Sequence, residues 1–149
     1  MADVREDILA RLLEVVADIP NIRWAQRNSV DVPENQLPAV MVFDADEESS
    51  GGGQNRQSNS SIVVQMTPEI VFMQQADEVG SDLTALRRES IKRVLFDTGL
   101  NNLIAKSSPR GDGAIRYLGC NTDFGYGRSQ SGFLRVLFMF KYTLWPDDL

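Results

Sequence analysis

Apolar residues Val4, Ile8, Leu12, Val15 and Ile19 recur at spacings of four, four, three and four, while Arg5, Glu6, Arg11, Glu14 and Asp18 fall elsewhere on the cylinder. The pattern predicts a one-faced helix, capped by Asp3 and stopped by Pro20 and Asn21. "NIRWAQRN" then reads as a short strand before the turn-rich "SVDVPENQLP". From Ala39 to Ala45, Val40 and Val42 share one side of a strand and Met41 and Phe43 the other, which predicts a central position because both faces are apolar. In "SIVVQMTPEIVFM", Ile62, Val64, Met66, Ile70 and Phe72 alternate with Gln65, Thr67 and Glu69. Pro68 cannot donate a ladder hydrogen bond, so this strand lies at an edge or is bulged there.

A second helix is predicted from about Asp82 to Phe96, with Ser81 as N-cap and Gly99 as stop. Its apolar stripe is Val79, Leu83, Leu86, Ile91, Val94 and Leu95, and "RRESIKR" is its solvated face. Two strands, "AIRYLGCNT" and "GFLRVLFMFKYTL", follow, joined by "DFGYGRSQS". This order predicts an α+β fold: a mostly antiparallel sheet of four to five strands with two helices on one face.

At 149 residues, 42% of them hydrophobic, the chain is long enough to bury one core and is read as a single domain. Its net charge of −6 argues against a nucleic-acid groove, which needs a concentrated basic surface. Cys120 is the lone cysteine, so no intrachain disulfide can form. "MADVREDILARLLEVV" is amphipathic rather than a basic segment followed by an unbroken apolar stretch, and no run of about 18 apolar residues occurs. The expectation is a chain made in the cytosol, with neither signal peptide nor membrane span.

The sequence offers little catalytic chemistry. A phosphate loop of the form G-x-x-x-x-G-K-[ST] needs a lysine and a helix immediately after it, whereas Gly51, Gly52 and Gly53 lack the lysine and lead into a strand. Asp44, Asp46, Glu47 and Glu48 supply oxygens for a hard cation but lack the spacing and glycine of a calcium loop, and read as solvated charge at a strand end. With no histidine in the chain, Ser-His-Asp and Cys-His pairs are impossible. Cys120, within a strand and without a histidine partner, reads as a buried structural thiol. "DFG" at Asp123 to Gly125 and "RGD" at Arg110 to Asp112 read as turns. No catalytic, cofactor-binding or metal-binding residue is predicted.

The last strand is the unusual one. Leu134, Val136, Phe138, Phe140, Tyr142 and Leu144 form a core face, yet the opposite face reads Phe133, Arg135, Leu137, Met139, Lys141 and Thr143. Three large apolar side chains between two cations are either covered by a loop or the tail "WPDDL" or form a subunit interface, and Phe133, Arg135, Leu137, Met139 and Lys141 are the candidate interface. The polar loop at about 48–61, with Gly51, Gly52, Gly53 and its one cation Arg56, is the candidate arm, since such a segment buries too little apolar surface to order alone.

The N-terminal helix "REDILARLLEVVADI", the strand "LPAVMVFDADEE" entering a long polar loop, and the closing strand "SGFLRVLFMFKYTL" together resemble tail terminator (tail completion) proteins of long-tailed bacteriophages. The resemblance covers nearly the whole chain through the order and pattern of elements, without a signature motif. It implies a structural virion protein of the tail or neck: a small α+β subunit in a homo-oligomeric, usually hexameric, ring. That ring would cap the tail tube and meet a head-tail connector or neck protein, with DNA passing through without specific recognition and with no membrane contact. The alternatives are another neck or connector protein, a small-ligand-binding ferredoxin-like module, and an enzyme using Asp or Glu as acid and base.

Overall fold

The computed structural model describes residues 3–49, 61–76, 78–124 and 131–149. Helix α1, Val4–Ala17, begins at Asp3, whose Oδ1 accepts from the Arg5 amide at 3.0 Å, and buries Ile8, Leu9, Leu12, Val15 and Val16. Strand β1, Trp24–Arg27, runs parallel to β2, Ala39–Ser49. Strand β3, Ile62–Gln75, pairs antiparallel with β2 and with β5, Ser131–Leu144, and β5 pairs antiparallel with β4, Ala114–Phe124. The sheet order β1-β2-β3-β5-β4 puts β3 in the middle and β1 and β4 at the edges. The α+β class and the five-stranded, mostly antiparallel sheet match the expectation.

Pro68 thus sits in the central strand, and the ladders show how it is tolerated. Pairing with β5 skips from Met66↔Phe140 to Glu69↔Leu137, and pairing with β2 shifts between Phe43 and Asp46, where Ala45 takes a positive φ of 53°. The β2 ladder thus shifts register opposite the residue that has no amide hydrogen to donate, while the β5 ladder resumes beyond it in the same register, so the bulged alternative is the correct one.

Three helices, not two, pack on the sheet. Helix α2 spans Val79–Phe96, three residues earlier than expected; Glu78 stands at its N-cap without a side-chain bond, so Ser81 lies inside the helix. Its buried stripe is Val79, Leu83, Leu86, Ser90 and Val94. Ser90, assigned from sequence to the solvated face, is fully buried, its hydroxyl donating to the Arg87 carbonyl at 2.9 Å. Helix α3, Thr98–Ser107, has no counterpart in the sequence reading, because "TGLNNLIAKS" holds a glycine and two asparagines in ten residues. Burial of Leu100 and Ile104 and an Asp97 cap supply what propensity lacks. Gly99 is therefore no helix stop but a residue of α3. A Cβ there would lie 2.7 Å from Arg11 Nε, so glycine leaves room for a guanidinium from α1.

One hydrophobic core cluster joins the helices to one sheet face through Val40 and Val42 of β2, Met66, Ile70 and Phe72 of β3, and Val136, Phe138 and Phe140 of β5. Among the described residues, no helix is long and apolar enough to cross a membrane.

Candidate functional site

Residues opposite one another in a ladder share a face, so the registers define the side away from the helices. Phe133 pairs with Met73, Arg135 with Val71, and Leu137 with Glu69, while Met41 stands opposite Val71 on the β2 side. The core cluster contains none of these, nor Met139. All five candidate interface residues, Phe133, Arg135, Leu137, Met139 and Lys141, lie on this face, which no helix among the described residues covers. Their exposure differs: Phe133 is 39% exposed, Met139 only 7%, and Leu137 and Lys141 are half-buried. Arg135 is no free cation, because its Nε sits 3.3 Å from Glu69 Oε2 on β3. The accessible apolar surface therefore centres on Phe133 and Leu137. The tail does not cover it: Trp145 turns to α3, its Nε1 donating to the Ser107 carbonyl at 2.8 Å.

The candidate arm residues Gly51, Gly52, Gly53 and Arg56 lie outside the described residues. What flanks them is the β2–β3 ladder, which continues to Ser49↔Val64, so the described element that follows them is strand β3 rather than a helix. The acidic run is dispersed by strand alternation and by the bulge. Both Asp44 oxygens accept from Arg27, at 2.7 and 2.9 Å, while Arg27 also grips Glu6 of α1 at 2.6 and 3.0 Å. Hydrogen bonding to Arg27 holds the Asp44 carboxyl below the usual carboxylate range. Glu47 accepts from the hydroxyl of buried Tyr142, which burial and this partner push to a raised pKa. Among the described residues, no three Asp, Glu, Cys or His gather as metal ligands.

Cys120 is exposed, not buried as the sequence reading had it. It stands opposite Val136 on the helix side of the sheet, but on edge strand β4. Arg87 of α2 reaches β4 here: its Nε donates to the Tyr117 hydroxyl at 3.2 Å and its guanidinium lies 5.6 Å from the ring centre. Asp123 and Phe124 end β4 rather than forming a turn. Arg110 does belong to a turn, closed by Gly111 at φ 79° with its amide donating to the Ser108 carbonyl at 3.0 Å, and Asp112 follows that turn.

Two features had no forecast. Asp97 caps α3 by accepting from the Leu100 amide at 2.8 Å and holds Arg11 of α1 through two bonds of 2.9 and 2.7 Å. An Asp before "TGLNN" is a readable N-cap; its tie to a residue 86 positions away is not. A cleft of about 600 Å³ also opens between the end of α1 and α2, lined by Ile19, Ile22, Arg23, Asp82, Leu86 and Glu89 among others. No family model matches the chain, and no curated protein matches it in sequence.

Proposed function

We propose that this chain is a structural assembly subunit that associates with copies of itself through the helix-free sheet face, and that its assembly is the ring of a bacteriophage tail terminator. The observation that carries the reading is Phe133 and Leu137 at the surface of a face no helix covers, beside the Arg135–Glu69 pair. An aromatic anchor with an arginine at its rim suits a protein partner. The resemblance in element order supplies the ring, its usual six-fold closure and the tail tube and neck as further partners. A neck or connector protein would use the same surface in the same way.

The test is native mass spectrometry and electron microscopy of the protein alone and with tail tubes. A closed oligomer that Phe133→Asp and Leu137→Asp reduce to folded monomers is the expected result. Wild-type protein that stays monomeric with tubes present, or variants that assemble unchanged, would remove the sheet face from the account.

A further inference from the structure

Helix α2 carries an outward stripe that the core does not use. Asp82, Ala85, Glu89, Lys92 and Phe96 recur at spacings of three, four, three and four and so lie along one side of the helix. The N-terminal half of the stripe borders the 600 Å³ cleft, whose walls include Ile19, Ile22 and Leu86, with the carboxylates of Asp82 and Glu89 on the α2 side and Arg23 on the side away from α2. The C-terminal half carries Lys92 and Phe96 beside a second hollow against α1. Arg93 divides the two hollows, pairing with Asp18 at 3.3 Å and Glu89 at 3.2 Å. Phe96, 81% exposed, is the most exposed large hydrophobic side chain among the described residues.

Each half presents what the other half lacks: a cleft whose α2 side is acidic, and an aromatic knob with a basic flank. We infer that two copies of this chain pair through their helix layers, α2 against α2 and antiparallel, with Phe96 of each seated in the other's cleft beside Ala85. The register that sets residue 96 against residue 85 also sets Lys92 against Glu89, on both sides of the two-fold axis. A parallel arrangement would instead align like charges. Because knob and cleft face the same way from one helix, about 16 Å apart at 1.5 Å rise per residue, the contact is reciprocal and closes as a pair. It uses the opposite layer of the subunit from the sheet face and does not depend on that reading.

Sedimentation of the full chain from low micromolar to several hundred micromolar tests it. Wild type should dimerise; Phe96→Ala and Ala85→Arg, both at exposed positions, should weaken the dimer roughly tenfold or more while circular dichroism and melting stay unchanged. Charge reversal gives an independent arm. Lys92→Glu sets glutamate against glutamate and Glu89→Lys sets lysine against lysine, so each variant alone should lose the helix-layer pairing, whereas a mixture of the two restores both contacts and should pair again. Wild type that is monomeric throughout, a Phe96→Ala dimer as tight as wild type, or a mixture no better than its components would each overturn the inference. Association lost with Phe133→Asp but not with Phe96→Ala would leave the sheet-face reading and remove this one; the reverse result would do the opposite.

Discussion

The two faces of β5 are built from alternate residues of one strand, yet they differ in what buries them. Val136, Phe138 and Phe140 are fully buried beneath helices in one continuous core. On the other face Met139 is nearly buried, Leu137 half-buried and Phe133 open, with no helix above them. Strand alternation assigns a residue to a face, and helix cover then decides whether that face belongs to folding or remains for a partner. Perturbing matched positions on the two faces should therefore separate monomer stability from association.

The largest effect is expected at Phe138, which packs edge-on to Tyr117 with ring centres 5.7 Å apart. Phe138→Ala should cost about 3–5 kcal/mol in denaturant unfolding, through lost transfer energy and the cavity left behind. Phe133→Ala on the same strand should stay within about 0.5 kcal/mol of wild type in the monomer. Equal losses at the two positions would erase the distinction between the faces.

A middle-sized effect tests how the covering layer is held. Asp97 caps α3 and binds Arg11 of α1, so Asp97→Ala removes a cap and leaves a guanidinium without its bidentate partner; the expected cost is about 2 kcal/mol. Hydrogen bonding to Arg11 lowers the Asp97 pKa in the folded protein. A lowered folded-state value means the stabilisation is complete above the unfolded carboxyl pKa of about 3.9 and is lost as pH falls through the lower folded value. Stability measured between neutrality and strong acid should thus fall less steeply in Asp97→Ala than in wild type. Identical acid profiles would show that the Arg11 pair contributes nothing.

The same contrast explains what the chain made legible. α1 and the core face of β5 were readable because period and burial agree, from Ile8 to Val15 and from Leu134 to Tyr142. α3 was not, because its stability comes from a distant arginine, a cap and two buried aliphatics rather than from propensity. Ser90 was misplaced because a small hydroxyl can return its hydrogen bond to its own helix and enter an apolar stripe. The accessible part of the candidate interface was only partly legible, since alternation put Met139 and Phe133 on one face but could not say that Met139 is already buried within the subunit.

The smallest effect probes where the covered face ends. By register Cys120 belongs to the helix side, opposite Val136, yet it is exposed, and so are the residues after it in β4. The bulge at Leu118 and Gly119, where glycine takes a φ of 139°, moves the strand one residue out of step just beyond the Arg87–Tyr117 contact. Cys120→Ser should therefore change stability by no more than about 0.5 kcal/mol. The thiol of the folded wild type should react with a disulfide reagent about as readily as that of the unfolded chain. A thiol that labels only on unfolding would mean that α2 covers the edge strand after all. Protection that appears only as protein concentration rises would mean that another copy covers it, and would place a subunit contact on β4 rather than on the open sheet face.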